Sequence, residues 1–238
     1  MSSKPFAFKY FKVTQDKCAM KIGTDGVLLG AWSSLEKKPL SILDIGAGTG
    51  ILSLMLAQRS RAQLIDAIEI DDQAYEQCVE NFEQSPWGDR LFCYHASLEE
   101  FAEDIEDKYD LIICNPPFYS EDFKTDNKQR DLARFQDAMP FEHLLECVSK
   151  LLSEQGTFNV VIPFKEEDNF IELASQLNLF PNTILQIKGN PNTLIKRSLI
   201  EFSFQNTDTK TVGLIIEKER HKYTEDYINL TKDFYLKM

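Results

Sequence analysis

Apolar residues recur along this chain with two spacings, and from residue 41 onward short β-rich runs alternate with longer stretches of helical periodicity. This alternation is typical of a parallel α/β sheet, because a connection between parallel strands must cross over the sheet, usually as a helix. The pattern predicts strands at 41–46, 64–70, 90–96, 109–115, 156–164 and 183–188, followed by a late antiparallel pair at 198–204 and 211–217. It predicts helices at 50–59, 72–84, 98–104, 141–152 and 166–177.

Two segments do not follow this alternation. Residues 1–40 precede it and contain Thr24-Asp25-Gly26, a sequence typical of a turn. Residues 119–139 form a long polar connection after the fourth predicted strand. Connections of this length in compact domains are usually functional or disordered.

The composition indicates one globular domain of ordinary size. Of 238 residues, 43% are hydrophobic and 27% are charged, which is normal for a soluble protein. No apolar run approaches the roughly 20 residues that span a bilayer, and the first residues do not resemble a signal peptide. The five cysteines are scattered without a C-x-x-C pair, so we expect no metal site, no disulfide framework and a cytoplasmic location.

The charge distribution is uneven. The net charge of −12 argues mildly against a nucleic-acid partner, yet residues 1–22 carry five lysines against one aspartate. Screening weakens distant charges beyond about 10 Å, so a local patch can outweigh the global sum. Lys4, Lys9 and Lys12 are therefore candidate phosphate contacts, and a solvated terminal arm is the alternative.

A glycine-rich segment lies where the first predicted strand turns into a helix. It runs Asp-Ile-Gly-Ala-Gly-Thr-Gly from Asp44 to Gly50, with Gly46 and Gly48 between. Glycines there let the backbone turn sharply and approach a ligand closely. Glu69 ends the next strand, where a carboxylate can accept from both ribose hydroxyls of a nucleoside. The G-x-G-x-G spacing resembles motif I of the methyltransferases that use S-adenosylmethionine. For Glu69 the alternative interpretation is a solvent-exposed strand end without a ligand.

The most specific stretch follows the fourth predicted strand. Asn115, Pro116, Pro117 and Phe118 end an apolar run, and prolines cannot continue a sheet ladder. The Asn115 side-chain oxygen and the Pro116 carbonyl can together accept both protons of an –NH₂ group. Phe118 offers a face on which a flat ring can stack. These features suit N-methylation of a base amine, whose developing positive charge the two acceptors stabilise.

This stretch resembles the (D/N/S)-P-P-(Y/F/W) signature of amino-methyltransferases, which act on adenine N6, guanine N2 or a glutamine amide. The block from 8 to 32, the segment 84–87 and the ending 223–236 are similar to those of the bacterial tRNA1(Val) adenine-N6 methyltransferases. That resemblance implies methylation of adenine 37 beside the anticodon, and it places Thr24 and Asp25 near the amino acid end of the cofactor.

Two positions depart from the family pattern. Ser97 stands where many relatives carry an aspartate that contacts the adenine of the cofactor, so its hydroxyl or a backbone carbonyl would replace that contact. Phe118 stands where tyrosine is more common, and phenylalanine also occurs in guanine-N2 enzymes.

Further basic residues are candidate RNA contacts. Arg130 and Arg134 lie four apart in the long connection and could share one helical face, although internal salt bridges are an equal alternative. Lys196 and Arg197 form a second candidate pair.

The sequence thus predicts a single α/β domain of the Rossmann-like class I methyltransferase type. Its mostly parallel seven-stranded sheet would carry helices on both faces, with residues 1–40 as a substrate- and cofactor-side extension and 41–238 as the core. The expected cofactor is S-adenosylmethionine and the expected partner is tRNA, with no obligate protein partner. A guanine-N2 or glutamine methyltransferase is the alternative enzyme, and a catalytically silent RNA binder is the alternative from another class.

Overall fold

The computed structural model describes residues 4–117 and 140–237. The strands, in chain order, are β1 Phe6–Ala7, β2 Lys12–Val13, β3 Ser41–Ile45, β4 Leu64–Glu69, β5 Leu91–His95, β6 Tyr109–Cys114, β7 Leu152–Pro163, β8 Phe180–Lys188, β9 Ile195–Ser203, β10 Lys210–Ile215, β11 Glu217–Glu219 and β12 Lys222–Tyr223. The helices are α1 Thr24–Trp32, α2 Ile51–Arg59, α3 Asp72–Glu83, α4 Leu98–Asp104, α5 Phe141–Leu151, α6 Glu167–Gln176 and α7 Glu225–Thr231, with a 3₁₀ turn at Phe164–Glu166.

The central sheet has the order β10-β8-β9-β7-β6-β3-β4-β5. Its five pairs outside β9 are parallel, whereas β9 runs antiparallel to both of its neighbours. The mostly parallel α/β sheet is therefore confirmed, although within the described residues it has eight strands rather than seven.

The prediction that the two late strands pair with each other in antiparallel orientation is wrong. Residues 198–204 and 211–217 are neighbours in sequence, but β9 inserts between β7 and β8, so both of its edges are already paired. β10 consequently takes the free outer edge of β8 in parallel orientation.

The Thr24-Asp25-Gly26 turn prediction is also wrong, because these residues open helix α1. The apolar run that follows is buried against α2, and this burial outweighs the local turn preference. Gly30 permits the close approach, since a Cβ there would lie 2.8 Å from the Met55 sulfur. Helix α7 has no counterpart among the predicted helices.

Helices cover both faces of the sheet, as predicted. Along β3, Ile42 faces one hydrophobic cluster and Leu43 faces the other, which is the period of two expected of a strand buried on both sides. Helices α1, α2 and α3 and the amino-terminal arm share the first cluster, whereas α4, α5 and α6 share the second. The carboxyl ends of the parallel strands therefore meet at one edge, between the two layers.

Candidate active site

The two predicted motifs leave neighbouring strands side by side. In the parallel pair of β3 and β6, Ile45 lies opposite Cys114. The next residue of each strand is Gly46 and Asn115, so the glycine loop and the Asn-Pro-Pro segment begin at the same height. Ligands of open α/β sheets bind at such carboxyl ends. This register places the predicted site for the methyl donor beside the predicted site for the acceptor.

The glycine loop is held in a left-handed conformation. Gly46, Gly48 and Gly50 have φ angles of 71°, 54° and 75°, which side chains with a Cβ rarely adopt. A Cβ on Gly46 or Gly48 would meet no atom of the described residues within 4 Å, whereas one on Gly50 would lie 2.5 Å from the Phe82 ring. The first two glycines thus border open space for a ligand, and the third permits close packing against α3.

Glu69 is buried at the end of β4, with 9% of its surface exposed. One carboxylate oxygen accepts the Gly48 N–H at 2.7 Å, and the other accepts the Asp71 N–H at 2.9 Å. It is therefore not a solvent-exposed strand end. Each carboxylate oxygen can accept a further hydrogen bond, so Glu69 can order the glycine loop and still bind two ribose hydroxyls.

Asp44 is fully buried beneath the same loop. Its Oδ2 accepts the Ser53 N–H at 3.1 Å and the Ser53 hydroxyl at 2.8 Å. Its Oδ1 is buried without a hydrogen-bond partner among the described residues. Burial raises the pKa of the Asp44 carboxyl to about 7. An unpartnered buried oxygen beside an open glycine cradle fits the positively charged methionine end of S-adenosylmethionine.

Asn115 is partly buried and lies against the first turn of α1. A Cβ on Gly26 would be 3.7 Å from the Asn115 side-chain nitrogen. The Asn115 side chain makes no hydrogen bond within residues 4–117 and 140–237, which leaves its oxygen available to a substrate. Pro116 is buried and Pro117 is partly buried. Phe118 lies outside the described residues.

Asp25 and Arg197 form an ion pair, although the sequence assigned Asp25 to the cofactor and Arg197 to RNA. The Arg197 Nε donates to the Asp25 carboxylate at 2.9 Å. This contact joins β9 to the first turn of α1, next to Gly26. No sequence signal indicated the pairing, because the two residues are 172 positions apart. Thr24 is exposed beside them.

The amino-terminal arm, residues 4–22, packs against α3 beside the glycine loop. The Asn81 side-chain nitrogen donates to the carbonyls of Thr14 and Thr49, both at 2.9 Å, and so ties the arm to the glycine loop. Nearby, burial and the charge of Glu69 raise the pKa of the Cys18 thiol to about 12. Sequence reasoning did not find Asn81, which resembles an ordinary helix residue.

The lysines of the arm differ in their contacts. Lys9 donates to the Lys232 carbonyl at 2.6 Å, near the end of α7. Lys17 pairs with two glutamates of α3 at 2.8 and 3.1 Å. Lys4 and Lys12 are exposed. Two of the five lysines are therefore engaged within the protein, and the phosphate role of Lys4, Lys9 and Lys12 stays a prediction.

The other predicted residues lie at the same edge or outside the described residues. The Ser97 hydroxyl accepts the Glu100 N–H and donates to the Glu100 carboxylate, closing a capping box at the start of α4. This hydroxyl is already paired, so an adenine contact by Ser97 stays a prediction. Lys196 is exposed at the start of β9. Arg130 and Arg134 lie outside the described residues.

Comparison with known proteins decides the family. A Flavobacterium psychrophilum protein named tRNA1(Val) (adenine(37)-N6)-methyltransferase is 60% identical, over 98% of this chain and 100% of its own length. The chain belongs to the tRNA1(Val) (adenine(37)-N6)-methyltransferase family. Proteins of the same name from Flavobacterium johnsoniae and Bacteroides fragilis (strain YCH46) are 62% and 46% identical, over 98% and 100% of this chain and the whole of each relative. The family resemblance drawn from the sequence is confirmed.

Broader matches of this tRNA1(Val) methyltransferase family member confirm the fold. Residues 27–167 match the family described as Methyltransferase small domain. A structure described as a predicted O-methyltransferase from Agrobacterium tumefaciens has a TM-score of 0.68 at 17% identity, covering 88% of this chain and 96% of that one. The structure of M. jannaschii TYW2 in complex with AdoMet has a TM-score of 0.55 at 14% identity, covering 84% and 85%. At these identities the likeness concerns the class I methyltransferase fold.

The described residues include neither a membrane-spanning helix nor a metal-binding cluster of side chains. None of their helices is long and apolar enough to cross a membrane. No group of three or more His, Cys, Asp or Glu side chains is arranged there to hold a metal ion.

Proposed function

We propose that this protein transfers the methyl group of S-adenosylmethionine to the N6 amine of adenine 37 in tRNA1(Val). The activity is the one that the relatives' name states, at up to 62% identity over nearly the whole chain. One structural observation carries the proposal for this chain. The glycine loop and Asn115 leave neighbouring strands in register, so donor and acceptor sites adjoin.

The cofactor site is built from charged and flexible groups with distinct tasks. S-adenosylmethionine supplies an electrophilic methyl group on a positively charged sulfur. Glu69 binds the ribose hydroxyls, and Gly46 and Gly48 leave room for the backbone of the loop to approach the ligand. The free oxygen of Asp44 would hold the positively charged end of the cofactor, and Asp25 with Thr24 would bind near the same end from α1. Ser97, at the end of β5, lies on the adenine side.

The substrate amine is activated by acceptors rather than by a base. The Asn115 side-chain oxygen and the Pro116 carbonyl accept its two protons, which directs the nitrogen lone pair away from the ring plane. The same oxygens stabilise the positive charge that develops on nitrogen. Phe118 stacks on the adenine, which must leave its loop to reach the site. A proton then passes to solvent.

The amino-terminal extension, residues 1–40, forms a wall of this site, and residues 41–238 form the core. The support is the bridge from Asn81 to Thr14 and Thr49, together with the position of Gly26, where a Cβ would lie 3.7 Å from the Asn115 side-chain nitrogen. With tRNA as substrate, the protein acts in the cytoplasm.

In vitro methylation with labelled cofactor tests the proposal. Total tRNA from a strain that lacks the enzyme is incubated with the protein and digested to nucleosides. We expect label in N6-methyladenosine, and none when adenine 37 of tRNA1(Val) is replaced by another base. Label in N2-methylguanosine, or in a protein glutamine in place of RNA, would show that the proposed substrate is wrong.

A further inference from the structure

The outer part of the sheet continues the active-site edge away from Asn115. Arg197 of β9 lies opposite Pro163, the last residue of β7, and Ile215 of β10 lies opposite Lys188 of β8. The start of β9 and the ends of β8 and β10 therefore lie at the edge where the catalytic motif begins. The β11–β12 hairpin projects from this edge directly after β10.

This outer edge carries an excess of positive charge in an acidic protein. Its basic residues are Lys188, Lys196, Arg197, Lys218, Arg220 and Lys222, its acidic residues are Glu217 and Glu219, and Glu225 and Asp226 follow at the start of α7. Among the described residues, Lys222 pairs with Glu219 at 2.8 Å, whereas Lys196, Lys218 and Arg220 form no ion pair. Lys196, Lys218 and Arg220 are all exposed. They are available to an external anion.

The hairpin is held in place rather than loosely attached. The Thr224 N–H donates to the Ile216 carbonyl at 2.9 Å, and the Thr224 side chain caps α7. The Tyr223 ring packs against Tyr227 with centroids 5.0 Å apart. At the turn, the His221 N–H donates to the Glu217 carboxylate at 3.3 Å. Charges on such a support keep their spacing, which suits a regular array of phosphates.

We propose that Lys196, Lys218 and Arg220 form a phosphate-binding platform for the anticodon stem while adenine 37 occupies the active site. From β6 to β10 the sheet crosses four strand spacings, or about 19 Å at about 4.8 Å each. A nucleic-acid strand covers that span in about six nucleotides at about 3.4 Å each. About six nucleotides extend from adenine 37 in the anticodon loop into the anticodon stem. The platform rests on the proposed function for its choice of RNA.

The test reverses charge at the platform and at matched positions. The platform variant is Lys218→Glu/Arg220→Glu. The control is Lys150→Glu/Lys210→Glu, two exposed lysines at the opposite edge, with the same change in net charge. A third variant, Lys4→Glu/Lys12→Glu, tests the amino-terminal arm. Binding of unmethylated tRNA is measured over a salt series, and methylation is measured separately.

We expect the platform variant to bind tRNA at least tenfold more weakly, with the salt slope reduced by about two, one for each lost contact. Affinity for S-adenosylhomocysteine and methylation of a short unpaired oligonucleotide should equal those of the wild type. Unchanged tRNA binding, or an equal loss in the opposite-edge control, would overturn the platform. A wild type that binds tRNA through the platform without methylating it would instead overturn the proposed function.

Discussion

The Asp25 carboxylate on α1 lies 2.9 Å from the Arg197 Nε on β9. The pair fastens the start of α1 to the sheet, one residue before Gly26, where a Cβ would lie 3.7 Å from the Asn115 side-chain nitrogen. Both side chains are about one-third exposed, so the pair contributes modestly to stability. Its consequence is geometric, because the first turn of α1 lies beside Asn115, the proposed catalytic amide.

A double-mutant cycle tests Arg197 as a positioning residue. We expect Arg197→Met and Asp25→Asn each to lower kcat by about tenfold, since small misplacements at a reacting centre are costly. The double variant should lose little more than either single one. The KM for tRNA should stay within twofold, and Arg197→Lys should recover part of kcat. A loss confined to KM would mean that Arg197 contacts RNA directly.

Asn115→Ala removes one of the two acceptors for the reacting amine. We expect kcat to fall about 10²-fold or more, because a preorganised group that binds the developing charge is lost. Calorimetry should show unchanged affinity for S-adenosylhomocysteine. Asn115→Asp keeps acceptor oxygens and should retain more turnover than the alanine variant. Near-normal turnover of Asn115→Ala would contradict the assigned role.

Glu69→Ala should weaken binding of S-adenosylhomocysteine by about 1.5–3 kcal/mol, the range for hydrogen bonds to a charged group. Calorimetry measures this loss. Because Glu69 also accepts from Gly48, part of the loss could come from a disturbed loop. Glu69→Gln keeps one acceptor for that N–H, so a similar loss in both variants would assign the effect to the ribose. An affinity equal to the wild type in Glu69→Ala would make the residue structural only.

Asp44 gives the free energy of unfolding a pH dependence of known sign. Burial raises the pKa of its carboxyl to about 7 in the folded protein, whereas the unfolded chain titrates near 3.9. Between these values the folded state holds a proton that the unfolded chain has released, so stability falls as pH rises. Asp44→Asn should remove this contribution, on the order of a few kcal/mol. Urea denaturation of the wild type and of Asp44→Asn at pH 5 and 7.5 measures this contribution. An equal change in the free energy of unfolding between the two pH values in both proteins would refute it.

Two glycines of one loop should respond differently to alanine. Gly50→Ala places a Cβ 2.5 Å from Phe82 and 2.9 Å from the Cys78 sulfur, so strain and overpacking together should cost about 2–5 kcal/mol. Within the part of the chain that the structure describes, Gly48→Ala meets no atom within 4 Å, so the positive φ alone should cost about 1 kcal/mol, while cofactor binding weakens. Thermal unfolding and calorimetry separate the two effects. Equal destabilisation would show that the space at Gly48 is not open.

Much of the core and its motifs could be predicted from the sequence. Strands β3, β4 and β6 are buried on both faces, and their mostly apolar segments, each with one aspartate, end at or next to the motif residues. Helix α4 was predicted with its observed bounds, because Ser97 and Glu100 provide a local start signal that does not depend on distant contacts. The family resemblance likewise followed from contiguous segments, and the relatives confirm it.

The tertiary structure decided what depends on residues far apart in the chain. Helix α1 forms because its apolar face packs against α2, which the Thr-Asp-Gly sequence does not indicate. The place of β9 depends on two free strand edges, which no local pattern encodes. The ion pair of Asp25 with Arg197 and the bridge from Asn81 arise only when chain segments meet. Local sequence indicated the candidate catalytic and cofactor-binding residues, whereas packing and strand pairing determined their neighbours, because both depend on long-range burial.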